Sequence, residues 1–122
     1  MYEVTTDPAR NLLKITFRDH VVPAELVQGR ADVIKALTTL KPGFRLLTDL
    51  SELDSMDYAC AAELKANMDF FRKSGVTEVV RVVPDPRKDI GFKIMSYFHY
   101  GRAVPVVTFE TRTEAQAHLA AE

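Results

Sequence analysis

The sequence is short of cysteine and of any surplus charge. Cys60 is its sole cysteine. That excludes an intramolecular disulfide and a zinc cluster built from the cysteines of one chain. Lys and Arg number 16 against 17 Asp and Glu, a formal net charge of -1. Such a balance gives no basic footprint for a nucleic-acid backbone, so no nucleic-acid partner is expected. Met1-Tyr2-Glu3-Val4-Thr5 has no basic region followed by an apolar stretch, so no signal peptide is read there. No run approaches the roughly 18 apolar residues of a membrane span, and cytoplasmic residence is the expectation. A Gly-rich phosphate loop is missing as well. Val27-Gln28-Gly29-Arg30 holds a lone glycine inside a helical pattern, where it weakens the helix by about 1 kcal/mol relative to Ala and leaves room for close packing. Internal repeats, low-complexity tracts and linkers are absent.

What is present suits one folded domain over residues 1–122. Apolar residues make up 47% of the 122 and charged residues 27%, outside the range of disordered chains. A chain of this length buries roughly two thirds of its unfolded surface, enough for one core.

Strand and helix patterns alternate. Tyr2 to Thr6 and Leu12 to Phe17 read as strands joined by a turn at Asp7-Pro8-Ala9-Arg10-Asn11, hence an antiparallel hairpin. Pro23 suits the first turn of a helix from Ala24 to Thr39. Val27, Ala31, Ile34, Leu37 and Leu40 form its expected core stripe, widened by Leu26 and Val33. Lys41-Pro42-Gly43 stops it, and Phe44 to Leu50 is apolar enough for a strand covered on both faces. A second helix is expected from Asp54 or Ser55 to Lys73, with Ala61, Leu64, Met68 and Phe71 inward and Ser74-Gly75 as its stop. Thr77 to Val83 is the clearest β-branched run. A third helix spans Arg87 to Tyr100. Val104 to Phe109 is the last strand, with Pro105 at its start or at a sheet edge. Thr111 and Glu114 make a capping box for a final helix. The order is β-β-α-β-α-β-α-β-α, an α/β domain with a mostly parallel five-stranded sheet and an antiparallel N-terminal edge hairpin.

The entrance to the second helix reads Leu47-Thr48-Asp49-Leu50-Ser51-Glu52-Leu53-Asp54-Ser55-Met56-Asp57. A strand ending in Asp-Leu-Ser, a short loop and then Asp-Ser resembles the STAS domain of anti-sigma-factor antagonists. The ending Val106 to Ala115 is similar to the SpoIIAA-like, or STAS/SEC14-like, group. The resemblance covers the whole chain. It implies a SpoIIAA-like βα superhelix and a protein-binding role centred on Asp54, Ser55, Met56 and Asp57. Classical antagonists carry Asp-Ser-Ser-Gly here and are phosphorylated on the second serine. In this chain Met56 stands at that position and Asp57 replaces the glycine. The usual phosphoacceptor is therefore missing, and Ser55 or Asp54 is expected as a helix cap, with Ser55 as a displaced acceptor the alternative.

The remaining polar residues compare poorly with an active site, and no catalytic residue is assigned. Asp49, Glu52, Asp54 and Asp57 read as caps and a solvated loop, since the EF-hand glycine and terminal Glu pattern are absent. His20, His99 and His118 are the only histidines and are too scattered for a metal site, so no metal and no cofactor is expected. Cys60 lies in Tyr58-Ala59-Cys60-Ala61-Ala62 and reads as a small buried hydrophobe. Arg87 and Lys88, at the start of the third helix, fall at the strand C-termini where open α/β sheets bind ligands, and are candidates for an anion contact. That helix is apolar on more than one face. Phe92, Met95 and Tyr100 are therefore a candidate homodimer surface or wall of an apolar-ligand pocket, beside the plainer reading of core and surface scatter. The expectation is a noncatalytic interaction or regulatory module with an unknown protein partner. A small apolar ligand or lipid is the alternative, and an enzyme built from Asp and Arg residues ranks last.

Overall fold

The computed structural model describes residues 1–83 and 104–121. Strand β1 (Tyr2–Asp7) turns through a single 3-10 turn (Pro8–Arg10) into β2 (Leu12–Val21). Helix α1 (Pro23–Leu37), β3 (Arg45–Met56), α2 (Cys60–Lys73) and β4 (Glu78–Val82) follow. The last described elements are β5 (Val106–Phe109) and α3 (Arg112–Ala120). The sheet has five strands in the order β1-β2-β3-β4-β5. The β1–β2 pair is antiparallel and the other three pairs are parallel. The helix expected over 87–100, with Arg87, Lys88, Phe92, Met95 and Tyr100, lies outside the described residues.

Local chemistry explains the element boundaries. Asn11 takes the left-handed conformation at φ 52°, which Asn tolerates better than most residues. From there its side chain bonds both polar groups of Lys41, accepting from the backbone N at 2.8 Å and donating to the carbonyl at 3.2 Å. The hairpin turn is thus stapled to the loop before β3. Pro23 opens α1, and the Glu25 carboxylate accepts the Val22 N–H. Gly75 ends the α2 region at φ 97°. Thr111 caps α3, accepting from the Glu114 N–H while its hydroxyl donates to the Glu114 carboxylate.

Both sheet faces are covered. Leu26 and Val33 of α1 and Leu64, Met68 and Phe71 of α2 bury Leu13, Ile15, Phe17, Leu46, Leu50 and Val79. On the other face Ala115 and Leu119 of α3 cover Leu12, Leu47, Val80 and Val82. Each fully buried aliphatic side chain contributes roughly 1.5–3 kcal/mol.

Two expectations are corrected. The buried seam of α1 is Leu26, Gly29 and Val33. Val27 and Ile34, expected inward, are 50% and 49% exposed. The seam turns because Gly29 lies against the Tyr2 ring, so closely that an added Cβ would stand 2.3 Å from its Cε1. The burial of Leu26 and Val33 and the close approach of Gly29 to Tyr2 together set the rotation of this helix. The second correction concerns 54–56. They continue β3, and α2 begins only at Cys60, so neither Asp54 nor Ser55 caps it. Leu50 is buried, and Leu53 and Met56 pack against the same core. Their three-residue spacing imitates a helix. Two irregularities in the β2–β3 register produce it: Thr16 pairs Asp49 and Arg18 pairs Glu52, then Asp19 pairs Leu53 and His20 pairs Ser55. Each step gives β3 one extra residue, and each extra residue returns an apolar side chain to the core face.

Candidate functional site

β4 ends opposite Asp49, whereas β2 and β3 stay paired to Val21 and Met56. A two-stranded parallel ribbon therefore projects beyond the rest of the sheet and carries Asp54, Ser55, Met56 and Asp57. Met56 faces the core. Asp54 is exposed. Ser55 and Asp57 converge on a residue that sequence reading did not join to them. His20 Nδ1 is 2.6 Å from Ser55 Oγ, and its Nε2 is 2.8 Å from Asp57 Oδ1. The His20 and Asp57 side chains are each about half exposed, at 50% and 47%.

The backbone aims this group. Asp19 adopts φ 55°, a conformation costing most L-residues roughly 1–2 kcal/mol, directly before the second register step. That step sets His20 opposite Ser55. The Asp57 N–H then donates to the Val21 carbonyl at 3.0 Å, which closes the ribbon end. Asp57, Tyr58 and Ala59 turn into α2, and the Tyr58 side chain stands 84% exposed.

A second polar group lies at the same end of the sheet, where α3 meets it. Asp49 is buried at 2% exposure. Its Oδ1 accepts from the Ser51 backbone N at 3.0 Å and the Ser51 hydroxyl at 2.6 Å, and its Oδ2 accepts from Arg112 Nε at 2.7 Å. Arg112 Nη2 continues to Glu52 at 2.6 Å, Arg18 Nε reaches the same Glu52 oxygen at 3.0 Å, and Arg18 Nη1 reaches Glu3 at 3.2 Å. Burial pushes the Asp49 carboxyl pKa up, but the Ser51 hydrogen bonds and the Arg112 guanidinium together outweigh it and hold it below the ordinary value. Hydrogen bonds from Arg18 and Arg112 lower that of Glu52 likewise. The expected acidic cluster is thus divided: Asp49 and Glu52 are neutralised by arginines, and Asp57 is taken by His20.

Cys60 is fully buried, with its Sγ 3.5 Å from the Val21 carbonyl. Burial, then the nearby Asp57 charge, raises the thiol to about 11. It is an inert packing residue. Among the described residues no group of three or more His, Cys, Asp or Glu is disposed to hold a metal ion. His118 contacts Glu78 at 3.2 Å, away from His20.

The overall architecture matches solved structures. The unphosphorylated form of the anti-sigma factor antagonist SpoIIAA superposes with a TM-score of 0.69 at 14% identity, covering 100% of both chains. The chain has the SpoIIAA-like fold. The phosphorylated form of the Bacillus cell fate determinant SpoIIAA gives a TM-score of 0.65 at 15% identity, over 98% of this chain and 99% of that one. An uncharacterised protein from Shewanella loihica with a SpoIIAA-like fold gives 0.67 at 14% identity, over 98% and 92%. No protein-family profile and no curated protein sequence matches the chain. Within this SpoIIAA-like fold, Met56 packs against the core. Among the described residues no helix is long and apolar enough to cross a membrane.

Proposed function

We propose that the chain is a noncatalytic protein-interaction or regulatory module whose partner docks on the projecting end of the β2–β3 ribbon. The observation that carries this reading is the combination there of a backbone-locked edge with exposed side chains: Asp54, Asp57 and the 84% exposed Tyr58. An exposed tyrosine on a rigid support is the kind of residue that anchors protein interfaces. The SpoIIAA-like fold is compatible with a protein partner. The triple variant D54N/S55A/D57N, compared with wild type for binding to a cross-linked and identified partner, is expected to weaken binding at least tenfold. Equal affinity would remove this surface from the proposal.

The apolar-ligand reading has less support. Two pockets formed by described residues, one bounded by Tyr2, Phe17, Asn67 and Phe71 and one by Lys14, Asp49 and Arg112, each hold about 10 Å³. That is room for about one water. An anion contact at Arg87 and Lys88, and a homodimer or apolar-ligand surface at Phe92, Met95 and Tyr100, are proposed on sequence pattern alone, as is a cytoplasmic location.

A further inference from the structure

We propose that Ser55 is an activated hydroxyl that accepts an acyl group from an ester or thioester donor, with His20 as its base and Asp57 as the positioning carboxylate. An ionised carboxylate only accepts hydrogen bonds. Asp57 at 2.8 Å from Nε2 therefore places the proton of neutral His20 on Nε2. In that neutral form the Nδ1 lone pair faces Ser55 Oγ at 2.6 Å, and the serine donates. A hydroxyl donating to a neutral imidazole, itself held by a carboxylate, is the arrangement that makes serine nucleophilic. The two ring nitrogens are interchanged relative to the serine hydrolases. Either nitrogen offers an in-plane lone pair, so the base chemistry is retained.

The alternative is that these bonds merely brace the ribbon. Two features speak against it. The His20 and Asp57 side chains are half exposed, where such pairs add little to stability, and the backbone bond from Asp57 N to the Val21 carbonyl already closes this end. The arrangement also depends on a positive-φ Asp19 next to a register irregularity, the kind of re-aiming bulge found beside reactive side chains.

In the reaction Ser55 Oγ bonds to the acyl carbon and its proton passes to His20 Nδ1. The bond from carbon to the leaving oxygen or sulfur breaks, and the leaving group departs with the electron pair. His20 then returns its proton to solvent. The product is O-acyl-Ser55. The step is one stoichiometric transfer onto a half-buried residue, in keeping with a module that turns over no substrate, and it needs no partner protein.

The test uses the full chain with p-nitrophenyl acetate, reading p-nitrophenolate release, intact mass and the modified peptide. Wild type is expected to gain one acetyl group on Ser55, and S55A none at that position. The H20Q variant keeps a polar side chain but loses the base, and is expected to react at least about 100-fold more slowly at Ser55. D57N is expected to fall between H20Q and wild type. If H20Q is misfolded by circular dichroism, the D57N rate decides. Acetylation confined to lysines, or Ser55 acetylated as fast in the variants as in wild type, would overturn the proposal. Failure here leaves the docking proposal untouched, because no partner enters the assay.

Discussion

Replacing Gly29 by alanine tests the claim that a glycine seam orients α1. In an unconstrained helix this change stabilises by about 1 kcal/mol. Here the new Cβ would stand 2.3 Å from Tyr2 Cε1 and 2.5 Å from Cδ1, far inside van der Waals contact. Tyr2 has little freedom to yield. Its backbone pairs with Phe17 across the hairpin, and its ring lies 5.2 Å from the Phe17 ring. Moving the ring out forfeits much of its burial, roughly 2 kcal/mol. The net expectation for G29A is a loss of about 1 kcal/mol, read as a lower midpoint in urea at unchanged slope. In the background Y2A the obstacle is gone, and the same G29A change should then stabilise by about 0.5–1 kcal/mol. A reversal of sign between the two backgrounds is the signature of the contact. If G29A stabilises wild type, or destabilises both backgrounds equally, the reasoning about the seam is wrong.

Removing the Arg112 guanidinium in R112M leaves the buried Asp49 carboxylate with Ser51 alone. An expected cost of about 2 kcal/mol would be measured by chemical denaturation at pH 7. The folded-state pKa of Asp49 is lowered, so its stabilisation is complete above the unfolded carboxylate value of about 3.9 and is lost as pH falls through the folded value. A D49N chain should therefore show a flatter fall in stability below pH 4 than wild type, and parallel acid curves would contradict the assignment. The thiol of Cys60, buried and raised to about 11, should resist a disulfide exchange reagent at pH 8 in the native protein and react promptly in denaturant. Rapid native labelling would show that the helix start opens.

Which parts of this molecule were readable in the chain follows from the range of the forces involved. Gly75, the Thr111 cap and the alternation of Leu13, Ile15 and Phe17 act within a few residues, so the order of the described elements, the mostly parallel sheet and the edge hairpin are written locally. Local patterning was misleading where a distant backbone chose the conformation. Leu50, Leu53 and Met56 repeat every third residue, which suits a helix start or a twice-bulged strand equally well. Only the hydrogen bonds offered by β2 select the strand. The hydropathy of α1 likewise could not register that Tyr2 would need the space above Gly29. The polar groups depend still more on folding. His20 lies 35 residues from Ser55, and Asp49 lies 63 residues from Arg112. A hydrogen bond is directional and reaches about 3 Å. Spacing along the chain holds no record of such a pair until the sheet brings its members side by side.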